Sequence, residues 1–148
     1  TGENSDCADL LRNAGGHRGF PLHEAIEAKD EAAAHLLLDR GMDPREVDEE
    51  YGYTALHQAA WKGCPSVVET LLAGEHSDSL INAQTRDGET ALHCAAANNH
   101  PTIVALLLKH PNIDMNIKNE FGATPLYVAI YCNHTDCADM IRKAGGTE

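Results

Sequence analysis

The sequence predicts an all-α fold, a solenoid of stacked antiparallel helix pairs, on three observations. One short motif recurs along the chain: Phe20-Pro21-Leu22-His23-Glu24-Ala25-Ile26, Thr54-Ala55-Leu56-His57-Gln58-Ala59-Ala60, Thr90-Ala91-Leu92-His93-Cys94-Ala95-Ala96 and Thr124-Pro125-Leu126-Tyr127-Val128-Ala129-Ile130. Its leucines, Leu22, Leu56, Leu92 and Leu126, lie 34, 36 and 34 residues apart. A period in that range marks units that bury their apolar faces only by stacking on neighbours. Behind the motif comes a second apolar stretch at helical spacing, Val67-Val68 with Leu71-Leu72 and Ile103-Val104 with Leu106-Leu107-Leu108.

In chain order, Ser5 to Gly16 reads as one short helix, capped by Ser5 or Asp6 and ended by glycines. Residues 135–146 nearly copy it, so the array is expected to open on a half repeat at 5–16 and to continue as one domain, 1–148, with repeats at 17–50, 51–86, 87–120 and 121–148. Each repeat is a turn, a first helix, a tight loop and a second helix. The third shows the parts best. Asp87-Gly88 is a turn dipeptide, and Thr90 offers its hydroxyl to the unpaired N–H groups at the helix start. In the fourth, Pro125 takes the first helical position, where a missing N–H costs nothing, and Thr124 is the N-cap. The small pairs Ala59-Ala60 and Ala95-Ala96 let helices approach closely. Helices of two to three turns are marginal alone, so stacking must supply the stability.

Composition narrows the classes of function. With 23 acidic against 11 basic side chains the net charge is −12, which repels phosphate backbones and favours cationic partners. Direct nucleic-acid binding is not expected. The longest strongly apolar run, Ile103 to Leu108, is far short of the roughly 20 residues that cross a bilayer, and no apolar leader opens the chain. A soluble, monomeric protein of the cytoplasm or nucleus is expected. Five cysteines, Cys7, Cys64, Cys94, Cys132 and Cys137, contain no CxxC pair and suit reduced thiols. The chain begins without Met and in mid-pattern, as a piece of a longer protein would.

The pattern Gly-x-Thr-(Ala/Pro)-Leu-His-x-Ala-Ala, followed by Asn99-His100-x-x-Ile103-Val104-x-x-Leu107-Leu108, resembles the ankyrin repeat over nearly the whole chain. The resemblance implies L-shaped units of paired helices with a β-hairpin finger projecting from each, stacked into a curved solenoid. Departures are local: Phe20 replaces the capping Thr, Tyr127 replaces His, and Lys29-Asp30 replaces the Gly-His between helices. The first full repeat should be the loosest. Leu38, Leu72 and Leu108 hold the last core leucine of each inner repeat, whereas the terminal helices carry Arg12 and Arg142 there. Terminal repeats need a polar outer face, so no further unit of this period is expected beyond either end.

Candidates for chemistry do not assemble. His23, His57 and His93 occupy one equivalent place in separate repeats, suited to bonding a neighbour's backbone, whereas zinc needs three or four converging ligands. His23-Glu24-Ala25-Ile26-Glu27 has Glu27 where a zinc-protease helix needs its second His. In the local trio Cys132, His134 and Cys137, the last takes a core position filled elsewhere by Val67 and Ile103. There is no nucleophile elbow, phosphate loop or dinucleotide fingerprint, so no catalytic, cofactor-binding or metal-binding residue is expected. Asn133-His134-Thr135 has the form of a glycosylation acceptor but lies between helices. The resemblance also implies that Asn82 and Asn116 stand where family members can be hydroxylated.

The aromatic residues point elsewhere. In the resemblance, Tyr51, Tyr53 and Phe121 map to fingers, and Trp61 and Tyr131 to the ends of first helices, all on the concave face. Tyr and Trp are enriched at binding hot spots. Asp87 and Glu89 on the fingers, with Glu46, Asp48, Glu49, Glu50 and Glu120 nearby, make that face acidic. Tyr51, Tyr53, Trp61, Lys62, Asp87, Glu89, Phe121 and Tyr131 are therefore the expected contacts for a protein or peptide carrying basic and apolar residues, held partly by cation–π contacts. Trp61, with Lys62 beside it, is the expected anchor. Its removal should cost about 2 kcal/mol or more of binding and little stability. The expected function is a non-catalytic interaction module. Two other readings are an inhibitor masking a basic segment of a transcription factor, as inhibitors of NF-kappa-B do, and the targeting domain of a larger enzyme. The longer insert Glu75 to Ile81 is the one local feature that favours the former.

Overall fold

The computed structural model describes residues 21–47 and 51–148. The helix at 5–16, the cap position Phe20, the end residue Arg12 and the acidic run Asp48 to Glu50 lie outside the described residues. Within them the fold is all-α, in nine helices. The first helices of the successive pairs are α1 (Pro21–Glu27), α3 (Ala55–Lys62), α6 (Ala91–Ala97) and α8 (Pro125–Tyr131). The second helices are α2 (Glu31–Asp39), α4 (Pro65–Ala73), α7 (Pro101–Leu108) and α9 (Thr135–Ala144). The insert after α4 folds into one additional turn, α5 (Ser77–Ile81), whose Leu80 and Ile81 are buried.

Each helix packs on its pair partner, and the pairs stack in sequence order. First helices form one layer (α1 on α3, α3 on α6, α6 on α8) and second helices another (α2 on α4, α4 on α7, α7 on α9). Between them lies one continuous core. It is thin because the facing residues are small: Ala55, Ala59, Ala60, Ala91, Ala95, Ala96 and Ala129 are wholly buried. Leu56 and Leu92, also wholly buried, add roughly 1.5–3 kcal/mol each. The expected core leucines need correcting by one position. Leu71 and Leu107 are the buried members of their pairs, while Leu38, Leu72 and Leu108 are half-buried at its edge. Arg142 continues that edge row in α9, exposed and 3.2 Å from Asp139, and the buried position before it is Ile141.

The recurring Thr and His form a device that joins one pair to the next. The Thr54 hydroxyl accepts the His57 N–H at the start of α3, and His57 Nδ1 accepts the Thr54 N–H at 3.1 Å. Since Nδ1 accepts, the ring proton sits on Nε2, which donates to the carbonyls of Ala83 and Glu89 at 2.9 Å each. Thr90 and His93 repeat this capping box, and His93 Nε2 reaches the Ala123 carbonyl at 2.9 Å. His23 Nε2 meets the Tyr53 carbonyl at 2.7 Å. The histidines are therefore structural, as their spacing suggests.

The turn between the helices of a pair passes through the left-handed region, at Gly63 (φ 80), Asn99 (φ 58), Asn133 (φ 62) and, in the first pair, Lys29 (φ 58). Gly63 is also needed for space, because a Cβ there would lie 2.7 Å from the His100 ring. That ring ties the next pair back to α3 through the Trp61 carbonyl at 3.1 Å. Asp30 replaces this histidine in the first pair and caps only its own helix, accepting the Ala33 N–H at 3.1 Å. Lys29 is the costly member of the series, since a side chain pays for the left-handed conformation. A Lys29→Gly change should raise stability by about 0.5–1 kcal/mol in urea unfolding; a loss would mean that the Lys29 side chain contributes more than its backbone costs.

Candidate protein interaction surface

The fingers are narrow hydrogen-bonded hairpin turns, and among the described residues none is long enough to form a strand. Thr85 N–H donates to Glu89 C=O at 2.8 Å, and Asn119 N–H donates to Ala123 C=O at 2.9 Å. Inside each turn a side chain collects the free amides: Thr85 Oγ1 accepts from Asp87 and Glu89 N–H, and Asn119 Oδ1 from Phe121 and Ala123 N–H. Successive fingers are joined by rungs, Arg86 N–H to Tyr51 C=O at 3.1 Å and Glu120 N–H to Asp87 C=O at 2.9 Å. The rungs fix the register. Tyr51, Asp87 and Phe121 stand at equivalent tips, and Tyr53, Glu89 and Ala123 follow beyond the turn glycines.

Three carboxylates meet in this row. A hydrogen bond with the Asp87 carboxyl, together with charge repulsion from it, holds the pKa of Glu120 above its ordinary value. Glu89 is also raised, first by burial and then by the charges of Asp87 and Glu120. Asn119 opposes this, its Nδ2 donating to Glu89 Oε2 at 3.2 Å. A cation placed here would relieve repulsion between groups that the fold forces together. The row also holds a cation of its own that the sequence reasoning passed over, the exposed Arg86.

The aromatic residues do not behave alike. Phe121 and Tyr131 are 79% and 77% exposed. Tyr51 and Tyr53 are half-buried, with ring centroids 6.0 Å apart. Trp61 is half-buried against the core, so it is no free-standing anchor. Lys62, expected beside it as a contact, has its Nζ 3.7 Å from Glu27 Oε2, and both side chains are largely buried. Gln58 Nε2 donates to the same carboxylate. Trp61→Ala should therefore cost stability, by about 2–3 kcal/mol in thermal or urea unfolding, against the small cost expected from sequence. A change below 0.5 kcal/mol, in the range of about ±0.5 expected at surface positions, would restore the surface reading.

The sequence reasoning missed Tyr127, which stacks on Tyr131 with centroids 6.2 Å apart and planes 20° from parallel. It occupies the place of His57 and His93, which are buried against the following pair, yet it is 46% exposed. The motif's own departure from His was the available signal.

The remaining candidates do not converge. His134 Nδ1 pairs with the Ala96 carbonyl at 2.7 Å, Cys137 is buried and Cys132 is exposed. Among the described residues no group of three His, Cys, Asp or Glu could hold a metal ion. Asn82 is engaged with Asn112 and Asp114, and Asn116 accepts the Thr147 N–H at 2.8 Å. Among the described residues no helix is long and apolar enough to cross a membrane.

Comparison with known proteins places this arrangement. A family model described as Ankyrin repeats (3 copies) matches residues 2–80 and 75–147. Rabankyrin-5 from Mus musculus is 34% identical over 140 residues, covering 86% of this chain and 12% of that protein. Rabankyrin-5 from Homo sapiens has the same identity and coverage. SH3 and multiple ankyrin repeat domains protein 2 from Homo sapiens is 30% identical over 154 residues, 99% of this chain and 8% of that protein. The chain thus spans a small part of the length of these curated relatives. Ankyrin repeats generally serve protein–protein interaction. Stacked helix pairs, Thr–His capping boxes, fingers in register and a family match over nearly every residue together make this chain a member of the ankyrin repeat family.

Proposed function

We propose that this chain is a non-catalytic module, a single domain with repeats at 17–50, 51–86, 87–120 and 121–148. It binds a protein segment carrying basic and apolar residues along the finger row and the ends of the first helices. The observation that carries this reading is the adjacency of the crowded carboxylates Asp87, Glu89 and Glu120 to Phe121, a ring left almost wholly in water. Tyr131 with Tyr127 supplies a second aromatic contact, and Tyr51 and Tyr53 extend the row in the other direction. A lysine or arginine of the partner would settle among the carboxylates, with its neighbouring apolar residues on the rings. Trp61 and Lys62 then act mainly by holding α3 in place. A charged row of this kind steers encounter, so association should slow as salt rises.

Selection of displayed random peptides on the intact chain tests this. Enriched peptides should combine Lys or Arg with aromatic or aliphatic residues, and Phe121→Ala/Tyr131→Ala should weaken the best of them at least tenfold with the fold intact. Enrichment of acidic peptides, or affinity unchanged in the double variant, would overturn the reading.

A further inference from the structure

A second recognition feature lies away from the finger row, at the junction between the first two helix pairs. A cleft of about 450 Å³ opens between the end of α2 with its following loop and the end of α4. Ligand-sized clefts run from roughly 300 to 1,000 Å³. Its apolar part is made by Leu38, Met42 and Leu71, all packed on the core. Asp39, Asp43, Glu75 and His76 also line it, and among the described residues no Lys or Arg does.

The cleft lies open at a place where the next junction carries a side chain. Aligning Pro101 with Pro65 puts His110 in the place of Gly74. At the next junction His110 is a plug: it is buried, its Nε2 lies 3.2 Å from Ser77 Oγ and 3.4 Å from Asp78 Oδ1, and Asn112 Nδ2 donates to the same Asp78 oxygen at 2.9 Å. Gly74 has nothing to plug with. Its backbone does not demand glycine, since φ is −82 and an added Cβ would make only ordinary contacts, 3.5 Å from the Leu71 carbonyl oxygen and 3.6 Å from that of Thr70. The cleft is a vacancy that the fold permits a side chain to fill.

From these observations we propose that the cleft receives a lysine side chain of a partner segment. A lysine carries an aliphatic stem under a compact charged head, and such side chains lay the stem on apolar surface while the head stays among polar groups. Leu38, Met42 and Leu71 match the stem. Asp39 and Glu75, both exposed, match the head, whereas Asp43 is engaged by Arg45 through bonds of 3.1 and 3.0 Å, which hold its pKa at about 2. An acidic occupant would meet Asp39 and Glu75 with like charge, and a purely apolar one would bring no counter-charge to Asp39 and leave Glu75 only the His76 ring, whose Nε2 lies 3.8 Å from its Oε2.

The test uses n-hexylammonium, which reproduces stem and head, with hexanoate and hexanol as controls, read by NMR at the Met42 methyl and the Gly74 amide of the intact chain. Hexylammonium should give saturable shifts there, at least fivefold tighter than hexanoate or hexanol. Two variants should remove them: Gly74→His, which installs the plug, and Asp39→Asn/Glu75→Gln, which only neutralises exposed carboxylates and leaves the core untouched. Equal response to hexanoate, the absence of saturable shifts, or shifts that persist in the double variant would overturn the proposal. The result is independent of the peptide selection, because no finger residue is altered.

Discussion

A His93→Ala chain is expected to lose about 3 kcal/mol, roughly 6–12 °C of melting temperature for a domain of this size. One ring serves both ends of a joint. Its Nδ1 caps Thr90 N–H at 3.0 Å and its Nε2 holds the Ala123 carbonyl at 2.9 Å, in a site with no exposure. Truncation leaves the Thr90 N–H buried without its acceptor, takes one of two donors from the Ala123 carbonyl, which keeps Asn119 N–H, and opens a cavity between α6 and the next finger. Acid should act at the same place. Burial keeps the pKa of His93 below its ordinary value, and that of His100 likewise. The unfolded chain therefore takes up protons first, near pH 6.5, so stability is complete above that value and is lost as pH falls below it. Glu89 and Glu120, with raised values, act in the opposite sense, their native forms gaining protons before the unfolded ones as pH falls. Melting temperatures from pH 7.5 to 5.5 should fall for the parent and fall less for His93→Ala. An identical slope in both would remove His93 from the acid response.

Gly88→Ala should cost about 2 kcal/mol in urea unfolding, and it should also damage binding. Gly88 has φ +81, and a Cβ there would lie 3.0 Å from both Asn119 Cα and Glu120 N. Both are backbone atoms, so the neighbour cannot turn aside as a flexible side chain would. The finger must shift, straining the rung from Glu120 N–H to Asp87 C=O and moving Phe121 with it. Gly122 is the control. It has a similar φ, +77, but open space around the missing Cβ, so Gly122→Ala should cost only the conformational term, about 1 kcal/mol. Equal losses from the two alanines would show that the contact between fingers does not matter.

The repeating parts of this protein were legible because each is set by a local rule. Thr54 and Thr90 cap, Pro65, Pro101 and Pro125 start helices, and Leu56 and Leu92 fill the layer between pairs. The candidate surface was legible only in part. Tyr51, Tyr53, Asp87, Glu89 and Phe121 fall into one row because register along the fingers follows from the repeat. Lys62 turns toward Glu27 of the preceding pair and Trp61 lies half-buried against the core, and both placements depend on how two pairs stack. Leu72 was misjudged against Leu71 for a similar reason: the two share a helix, and only the angle of packing decides which faces inward. The cleft beside Gly74 could not be seen, since its walls come from two helix ends, residues 38–44 and 70–76, and their separation depends on how the pairs stack.

The joints between pairs have one property that bears on how such a surface changes over time. His23, His57 and His93 all grip carbonyl oxygens, of Tyr53, of Ala83 and Glu89, and of Ala123. Every amino acid has that oxygen, so the joint reads the main chain of its neighbour and is blind to the side chain above it. A tyrosine, a glutamate and an alanine already occupy the same seat. The tips can thus be exchanged like type in a fixed frame, and a finger from one position transplanted to another should carry its recognition with it.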